Sequence, residues 1–142
     1  MTSARTATLG LILNQHHQTL LEDWIRTLTA KLGRKEKSGE FEIRRQAEQL
    51  LTLLARTVDS GASDDTDGSD WGDVRHLLGE VSRTRALQGF SSLDTASFVF
   101  ALKEPLFEHL RTALSEQPLV LAQEIAATSS LFDRLGLYTI EV

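Results

Sequence analysis

The sequence contains no cysteine and, among its 142 residues, only two prolines and nine glycines. Without cysteine the chain forms no disulfide and no thiolate metal site, which fits a reducing compartment. The apolar run Leu9–Leu13 is too short for the core of a signal peptide, and no segment is long enough to span a bilayer. We therefore expect a cytoplasmic protein that does not enter the membrane.

Positive charge is also scarce. Lys and Arg together number 15 against 20 Asp and Glu, which gives a net charge of −5 at pH 7. A negative chain with scattered cations lacks the basic face that nucleic acids and anionic membranes require, so neither is an expected partner. Apolar residues make up 41% of the sequence, and one domain of this length buries roughly 70% of its unfolded surface.

The spacing of the apolar residues predicts an all-α bundle of about five helices in a single domain covering residues 1–142. The predicted helices cover about residues 7–32, 41–58, 70–88, 92–115 and 118–135, with an apolar pattern that continues to Val142. Residues 1–6 are predicted to be a flexible polar lead-in, and residues 59–70 an acidic loop.

Residues 92–115 are predicted to form the central helix of the bundle. Gly89 ends the preceding helix, because glycine adopts the left-handed conformation without steric cost. Ser91 is the predicted N-cap, with the Asp94 carboxylate facing the free N–H groups of the first turn. Pro105 predicts a kink, because it lacks an N–H and its ring crowds the carbonyl of Ala101. Apolar residues occupy two faces of this helix, and they are Leu93, Ala96, Phe98, Phe100, Leu102, Leu106, Phe107, Leu110, Ala113 and Leu114.

The acidic loop matches the calcium-binding loop of an EF-hand only in part. With Gly68 at the required sixth position, Asp65 and Asp67 stand correctly at the third and fifth positions. The same register places Ser63 at the first position and Val74 at the twelfth, where a bidentate Glu is needed. Because its strongest ligand is missing, the loop is interpreted as a solvated, mobile linker.

The four histidines show no spacing typical of a metal or haem site. His16 and His17 are adjacent, so on a helix their side chains point about 100° apart. His76 and His109 lie on other predicted helices, and neither has a histidine four residues away. We therefore predict no metal ion and no cofactor.

Residues 109–114 resemble part of the phospho-acceptor box of histidine kinase dimerisation domains. That box has an acidic residue directly after the histidine and usually a proline before its closing apolar residue. Here Leu110 follows His109, Glu108 precedes it, and Ala113 stands in the proline position. The side chain that assists proton removal is missing, so phosphotransfer on His109 is kept only as an alternative.

The last predicted helix has one face rich in small residues, which allow a second helix to approach closely. Its apolar pattern continues past Gly136 to the last residue. Two copies related by a two-fold axis would bury this face and project the following linkers side by side. The predicted dimer and signal-relay residues are Ile125, Ser129, Phe132, Leu135, Leu137 and Tyr138.

Residues 85–91 (RALQGFS) and 94–107 (DTASFVFALKEPLF) resemble the N-terminal domain of RsbRD-type proteins, the RsbT co-antagonists of the bacterial stressosome. Residues 14–24 and 131–141 agree with the same family, so the resemblance spans nearly the whole chain. The motif residues that carry it are Gln88, Gly89, Phe90, Ser91, Asp94, Phe98, Lys103 and Pro105.

The resemblance implies a helical sensory input domain related in fold to the non-haem globin domains of stressosome proteins. Such domains precede an output module, either a sulfate-transporter/anti-sigma-antagonist (STAS) domain or a histidine kinase core. The 142 residues contain no such module, which leaves a truncated chain and a stand-alone relative as alternatives. The resemblance supplies no catalytic residue.

These observations favour a non-enzymatic, homodimeric sensory domain of a bacterial stress-signalling or two-component regulator. The alternative is a binding site for a small apolar ligand beside the Pro105 kink. The residues proposed to line that pocket are Trp24, Phe98, Phe100 and Phe107.

Overall fold

The computed structural model describes residues 2–32, 40–62 and 65–141 of the chain. Within these ranges the regular structure is helical and contains no strand, so the predicted all-α, single-domain bundle is confirmed. The helices are α1 (Thr2–Gln15), α2 (His17–Leu32), α3 (Glu40–Asp59), α4 (Gly72–Leu87), α5 (Ser92–Phe100), α6 (Lys103–Ala113) and α7 (Pro118–Glu141), with a 3₁₀ turn at Ser69–Trp71 before α4.

The first predicted helix is two helices in the structure. The helix is interrupted at His16, between α1 and α2, although hydrogen bonding continues across the break. The His16 amide donates to the Ile12 carbonyl at 3.0 Å, and the Leu20 amide donates to the His16 carbonyl at 2.8 Å. The predicted lead-in over residues 1–6 is also corrected, because α1 begins at Thr2. Residues 4–7 (ARTA) include Ala and Arg, which are strong helix formers. Met1 lies outside the described residues.

Helix α3 has one apolar face and one charged face. Its buried residues recur every three or four positions, the period of a helix packed on one side. On the solvent side Arg44 donates to Glu22 of α2 at 2.7 Å, and Arg45 donates to Glu42 at 2.7 Å. The buried apolar residues of α3 are Ile43, Ala47, Leu50, Leu51, Leu54, Ala55 and Val58.

The described part of the acidic loop, residues 60–62 and 65–68, is partly anchored to the bundle. Thr66 is buried, and the Arg75 guanidinium of α4 donates to the Thr66 carbonyl at 2.5 Å and to the Gly68 carbonyl at 2.7 Å. Val74, the twelfth residue in the calcium-loop register, is fully buried in α4. Ser63, the first residue of that register, lies outside the described residues.

The predicted central helix is divided in the structure. Helix α5 ends at Phe100 and α6 begins at Lys103, with Ala101 and Leu102 between them. Pro105 is the third residue of α6, in the first turn, where an N–H has no intrahelical acceptor. The division lies one turn before Pro105, at the carbonyl of Ala101 that a non-proline residue 105 would have bonded. Both halves still line the core, since Phe98, Leu102, Leu106 and Leu110 are each 0% exposed.

Helix α7 packs along α5 and α6 and also touches α4, while α1 and α2 pack on α3, which contacts α4. One continuous hydrophobic core joins all of these helices. In the part of the chain that the structure describes, none of the helices combines the length and apolarity needed to cross a membrane.

Candidate functional site

The turn between α4 and α5 begins the site. Gly89 has a φ of +93°, the left-handed region that glycine adopts most easily. The Phe90 amide donates to the Arg85 carbonyl at 2.9 Å and the Gly89 amide to the Ala86 carbonyl at 3.1 Å, the two bonds of a Schellman helix end. The predicted role of Gly89 as a helix stop is therefore confirmed.

The N-terminus of α5 carries the predicted cap. The Asp94 amide donates to Ser91 Oγ at 3.1 Å, and the Ser91 amide donates to Asp94 Oδ2 at 3.0 Å. These reciprocal bonds form a capping box, which typically stabilises a helix by about 1 kcal/mol. Together with Gly89, the box fixes the angle at which α5 enters the core.

A buried arginine lies behind this turn. Arg85 is 0% exposed, and its guanidinium lies 4.2 Å from the centre of the Phe90 ring and 5.2 Å from that of Phe98. Trp24 of α2 is also fully buried, with its ring 4.9 Å from Phe98 and its Nε1 donating to the Phe98 carbonyl at 2.9 Å. The cation–π contacts and this hydrogen bond join α2, α4 and α5 at one point.

Lys103 connects α6 to α7. Its ammonium group forms an ion pair with Asp133 and donates to Ser129 Oγ at 3.2 Å. It also lies 5.3 Å from the centre of the Phe100 ring. Lys103 therefore links α6 to α7 through one ion pair and one hydrogen bond.

Gly136 provides the closest approach between α5 and α7. A Cβ atom at this position would lie 2.2 Å from Phe100 Cε1, well inside van der Waals contact. The helix continues through Gly136 to Glu141, so this glycine does not end the helix but makes space for the Phe100 ring. Further along α7, Ser82 Oγ of α4 donates to the Thr139 carbonyl at 3.3 Å.

Helix α7 therefore has an inner and an outer face. The inner face is buried against α4, α5 and α6, and it consists of Glu124, Thr128, Leu131, Phe132, Leu135, Gly136 and Thr139. The outer face is exposed and contains Leu119, Ala122, Ala126, Leu137 and Ile140. On a helix these five positions fall on one side and form an outer stripe in two groups, at residues 119–126 and 137–140, with the exposed Asp133 between them.

This division corrects part of the predicted relay surface. Phe132 and Leu135 are each 1% exposed and belong to the core of their own chain. They lie on the side of α7 that packs against α5 and α6. Ile125, Ser129 and Tyr138 are half-buried, whereas Leu137 is 53% exposed. Only Leu137 of the predicted set lies on the outer face.

His109 of α6 contacts a second histidine. Its ring stacks on that of His16, with centroids 4.4 Å apart and 27° between the planes. Burial and the neighbouring His16 lower the pKa of His109, while the carboxylates of Asp23 and Glu108 act in the opposite direction. Glu108 pairs with Arg111 at 2.6 Å. A stacked, half-buried ring offers little room for a phosphoryl donor.

The family model of the RsbT co-antagonist protein rsbRD N-terminal domain matches residues 18–142. The chain belongs to this family. The family is a regulatory one, and the match confirms the resemblance inferred from residues 85–107. Comparison with curated proteins and with solved structures finds no match. Helix α1 and His16 precede the residues that match the RsbRD N-terminal model.

In this RsbRD N-terminal domain the motif residues surround the junction of α4, α5, α6 and α7. Gly89, Ser91 and Asp94 shape the turn, and Phe98 and Lys103 contact α2 and α7 respectively. Gln88 is the C-cap of α4, Phe90 contacts Arg85, and Pro105 is buried in the first turn of α6. Their contacts join α7 to the helices that precede it.

The four aromatic residues proposed for an apolar pocket take part in different contacts in the described structure. Trp24 and Phe98 are fully buried against each other. Phe100 faces Gly136 on α7, and Phe107 is half-buried at the edge of the core. The apolar ligand site stays a prediction.

Two surface clefts lie elsewhere. One, of about 170 Å³, lies between the acidic loop and the last turns of α7, lined among others by Arg75, Arg134 and Tyr138. The other, of about 350 Å³, lies between α2 and α3 beside Phe41, whose side chain is 84% exposed. Neither cleft lies beside Pro105.

Sequence reasoning did not find three features of the site. Nothing in the sequence indicated that Arg85, near the C-terminal end of its helix, is buried with its guanidinium against the Phe90 and Phe98 rings. The sequence indicated that the apolar pattern continues past Gly136, but it did not show that this glycine makes space for the Phe100 ring. The contact between His16 and His109, which are 93 positions apart (109 − 16), had no local signal.

Proposed function

We propose that this chain is the non-catalytic N-terminal input domain of a bacterial stress-signalling or two-component regulator. In this proposal the domain is cytoplasmic and homodimeric, and α7 relays a signal to a C-terminal output domain, either a STAS domain or a histidine kinase core. Stressosome proteins are its proposed partners. Membership of a regulatory family supports this role. The proposed relationship to non-haem globins stays a prediction.

The observation that carries the proposal is the division of α7 into two faces. Helix α7 is fixed to the motif by the Gly136–Phe100 contact on its inner face and by the Lys103–Asp133 pair, in which Asp133 is exposed. A displacement of α5 or α6 would therefore move α7 as well. The outer stripe leaves Leu119, Ala126 and Leu137 exposed, at the spacing of a helix that pairs with a second helix.

A symmetric dimer through this stripe would align two copies of α7 and place their last residues together. Ala122 and Ala126 lie in the N-terminal half of the stripe, where small side chains permit close approach of two backbones. Isologous pairing of this kind is the commonest arrangement of homodimers. Both output domains would then begin side by side. A small rotation of α7 would there have its largest effect on their relative position.

Light scattering at about 100 µM protein tests the dimer, since a Kd at or below this range gives mainly dimer. We expect twice the chain mass for the wild type and the single chain mass for Ala126→Arg, which places two guanidinium groups at the two-fold axis. Leu87→Glu is the matched control, because Leu87 is 90% exposed on α4, and it should leave the dimer intact. A monomeric wild type, or equal effects of both variants, would refute the dimer.

A further inference from the structure

The His16–His109 contact has no part in the proposed relay. His16 lies at the break between α1 and α2, and His109 lies on α6. Their rings are stacked at 4.4 Å, and the residues on either side are core residues. Leu13 and Leu20 flank His16, and Leu106 and Leu110 flank His109, each 0–1% exposed. The stack is therefore a contact between two titratable side chains within the otherwise apolar interface of α6 with the α1–α2 junction.

Among the described residues, few other polar contacts join α6 to the α1–α2 junction. On the opposite side α6 is joined to α7 by the Lys103–Asp133 pair. His17, next to His16, is directed to α3, where its Nε2 lies 3.0 Å from Glu48 Oε1. The two adjacent histidines thus connect the α1–α2 break to two different helices, and only His16 reaches α6.

The charged groups around the stack come from several elements. Helix α2 contributes Asp23, which pairs with Arg26, and α6 itself contributes Glu108, which pairs with Arg111. Helix α3 contributes Glu48 to His17. Helix α7, on the far side of α6, carries the buried Glu124 and the Lys103-paired Asp133. The carboxylates near the stack favour the first protonation of the two rings. Because Asp23 and Glu108 already pair with arginines, they do not offset the repulsion between two adjacent imidazolium ions.

We propose that the His16–His109 stack is an acid-sensitive latch, closed while at most one of the two rings is protonated and opened when both are. Two like charges at the distance of stacked rings repel each other, and a half-buried position screens that repulsion less than bulk water does. Opening separates α6 from the α1–α2 junction and relieves the repulsion. The latch is a property of the domain alone and would stand if the proposed relay through α7 failed.

The direction of the pH effect follows from His109. Its pKa in the folded chain is lowered from the ordinary value of 6.5 by burial and then by His16. The opened state therefore binds more protons than the closed state at acidic pH. The stabilising contribution of the latch is complete above pH 6.5 and is lost as the pH falls through the lowered pKa of His109.

Amide hydrogen exchange of residues 103–113, followed by mass spectrometry at about pH 7.5 and about pH 5.5, measures the latch directly. After correction for intrinsic exchange rates, we expect the wild type to lose protection in α6 at the lower pH. His16→Phe/His109→Phe retains two stacked rings without a titrating group and should keep its protection. His76→Gln is the matched control, because His76 is exposed and pairs with Glu80 at 3.1 Å, and it should behave as the wild type does.

A second measurement keeps the proposal testable if the double variant does not fold. The Cε1 proton resonances of His109 in the wild type and in His16→Phe give its pKa directly. We expect a pKa below the ordinary value in the wild type and a shift towards that value in His16→Phe. An unchanged His109 pKa in His16→Phe, or an equal pH dependence of α6 exchange in the wild type and the double variant, would overturn the latch.

Discussion

Helices α3 and α7 bury their inner faces by different means. The core face of α3 consists mainly of aliphatic side chains, among them Leu50, Leu51 and Leu54, which tolerate exchange for others of similar volume. Gln46 and Thr57 of α3 are buried as well. The inner face of α7 includes buried polar residues such as Glu124 and Thr128. It also includes Gly136, where the absence of a side chain leaves space for the Phe100 ring. Helix α3 is therefore a scaffold element, whereas the position of α7 depends on particular atoms.

The largest effect should come from the arginine behind the motif. Arg85→Ala removes a fully buried side chain and its contacts with two aromatic rings, and we expect a loss of about 3 kcal/mol in the free energy of unfolding. Denaturant titration followed by circular dichroism measures this. Arg83→Ala is the matched control, exposed on the same helix, and should change stability by less than about 0.5 kcal/mol. Equal effects would mean that Arg85 does not organise the junction.

Next in size is the effect of filling the space at Gly136. In Gly136→Ala the new methyl group would lie 2.2 Å from Phe100 Cε1, so either the Phe100 ring must move or α5 and α7 must separate. We expect a net loss of about 2 kcal/mol despite the better helix propensity of alanine. Gly79→Ala provides the contrast, because the nearest atom there is Arg83 Nη1 at 3.9 Å, and it should gain about 0.5–1 kcal/mol. If both variants are stabilised, the close approach does not determine helix position.

A smaller change is expected for the ion pair between α6 and α7. Lys103→Met keeps the length of the side chain but removes the charge that contacts Asp133 and Ser129. The Lys103 side chain is 21% exposed and Asp133 is 54% exposed, so solvent screens the pair and we expect a loss of about 1 kcal/mol. A double-mutant cycle with Asp133→Asn isolates the interaction, and additive single effects would show that the pair contributes nothing.

The smallest effect should be found on α3. Arg45→Met removes a surface pair with Glu42, in which the two side chains are 55% and 28% exposed. Pairs of this kind within one helix contribute little to stability, because water screens both charges. Thermal unfolding in low and high salt measures the difference. A loss as large as that of Lys103→Met would remove the contrast between the two helices.

The contrast also explains what could be predicted from the sequence. The range of α3, the Gly89 stop and the Ser91 cap all depend on residues a few positions apart, and each was predicted correctly. The break at His16, the burial of Arg85 and the space at Gly136 depend on partners from other helices. For α7 the sequence revealed an apolar helix but not which side its own core would cover, so Phe132 and Leu135 were assigned to the wrong surface.

The central proposal is that α7 is fixed on its inner face and pairs with a second copy through its outer face. Because the chain has no cysteine, Ile140→Cys introduces a single thiol at the end of the outer stripe, where parallel pairing brings the two copies together. After mild oxidation we predict a disulfide-linked dimer for Ile140→Cys and mainly monomer for Leu87→Cys on α4. Monomer in both variants, or equal cross-linking of both, would contradict parallel pairing of α7.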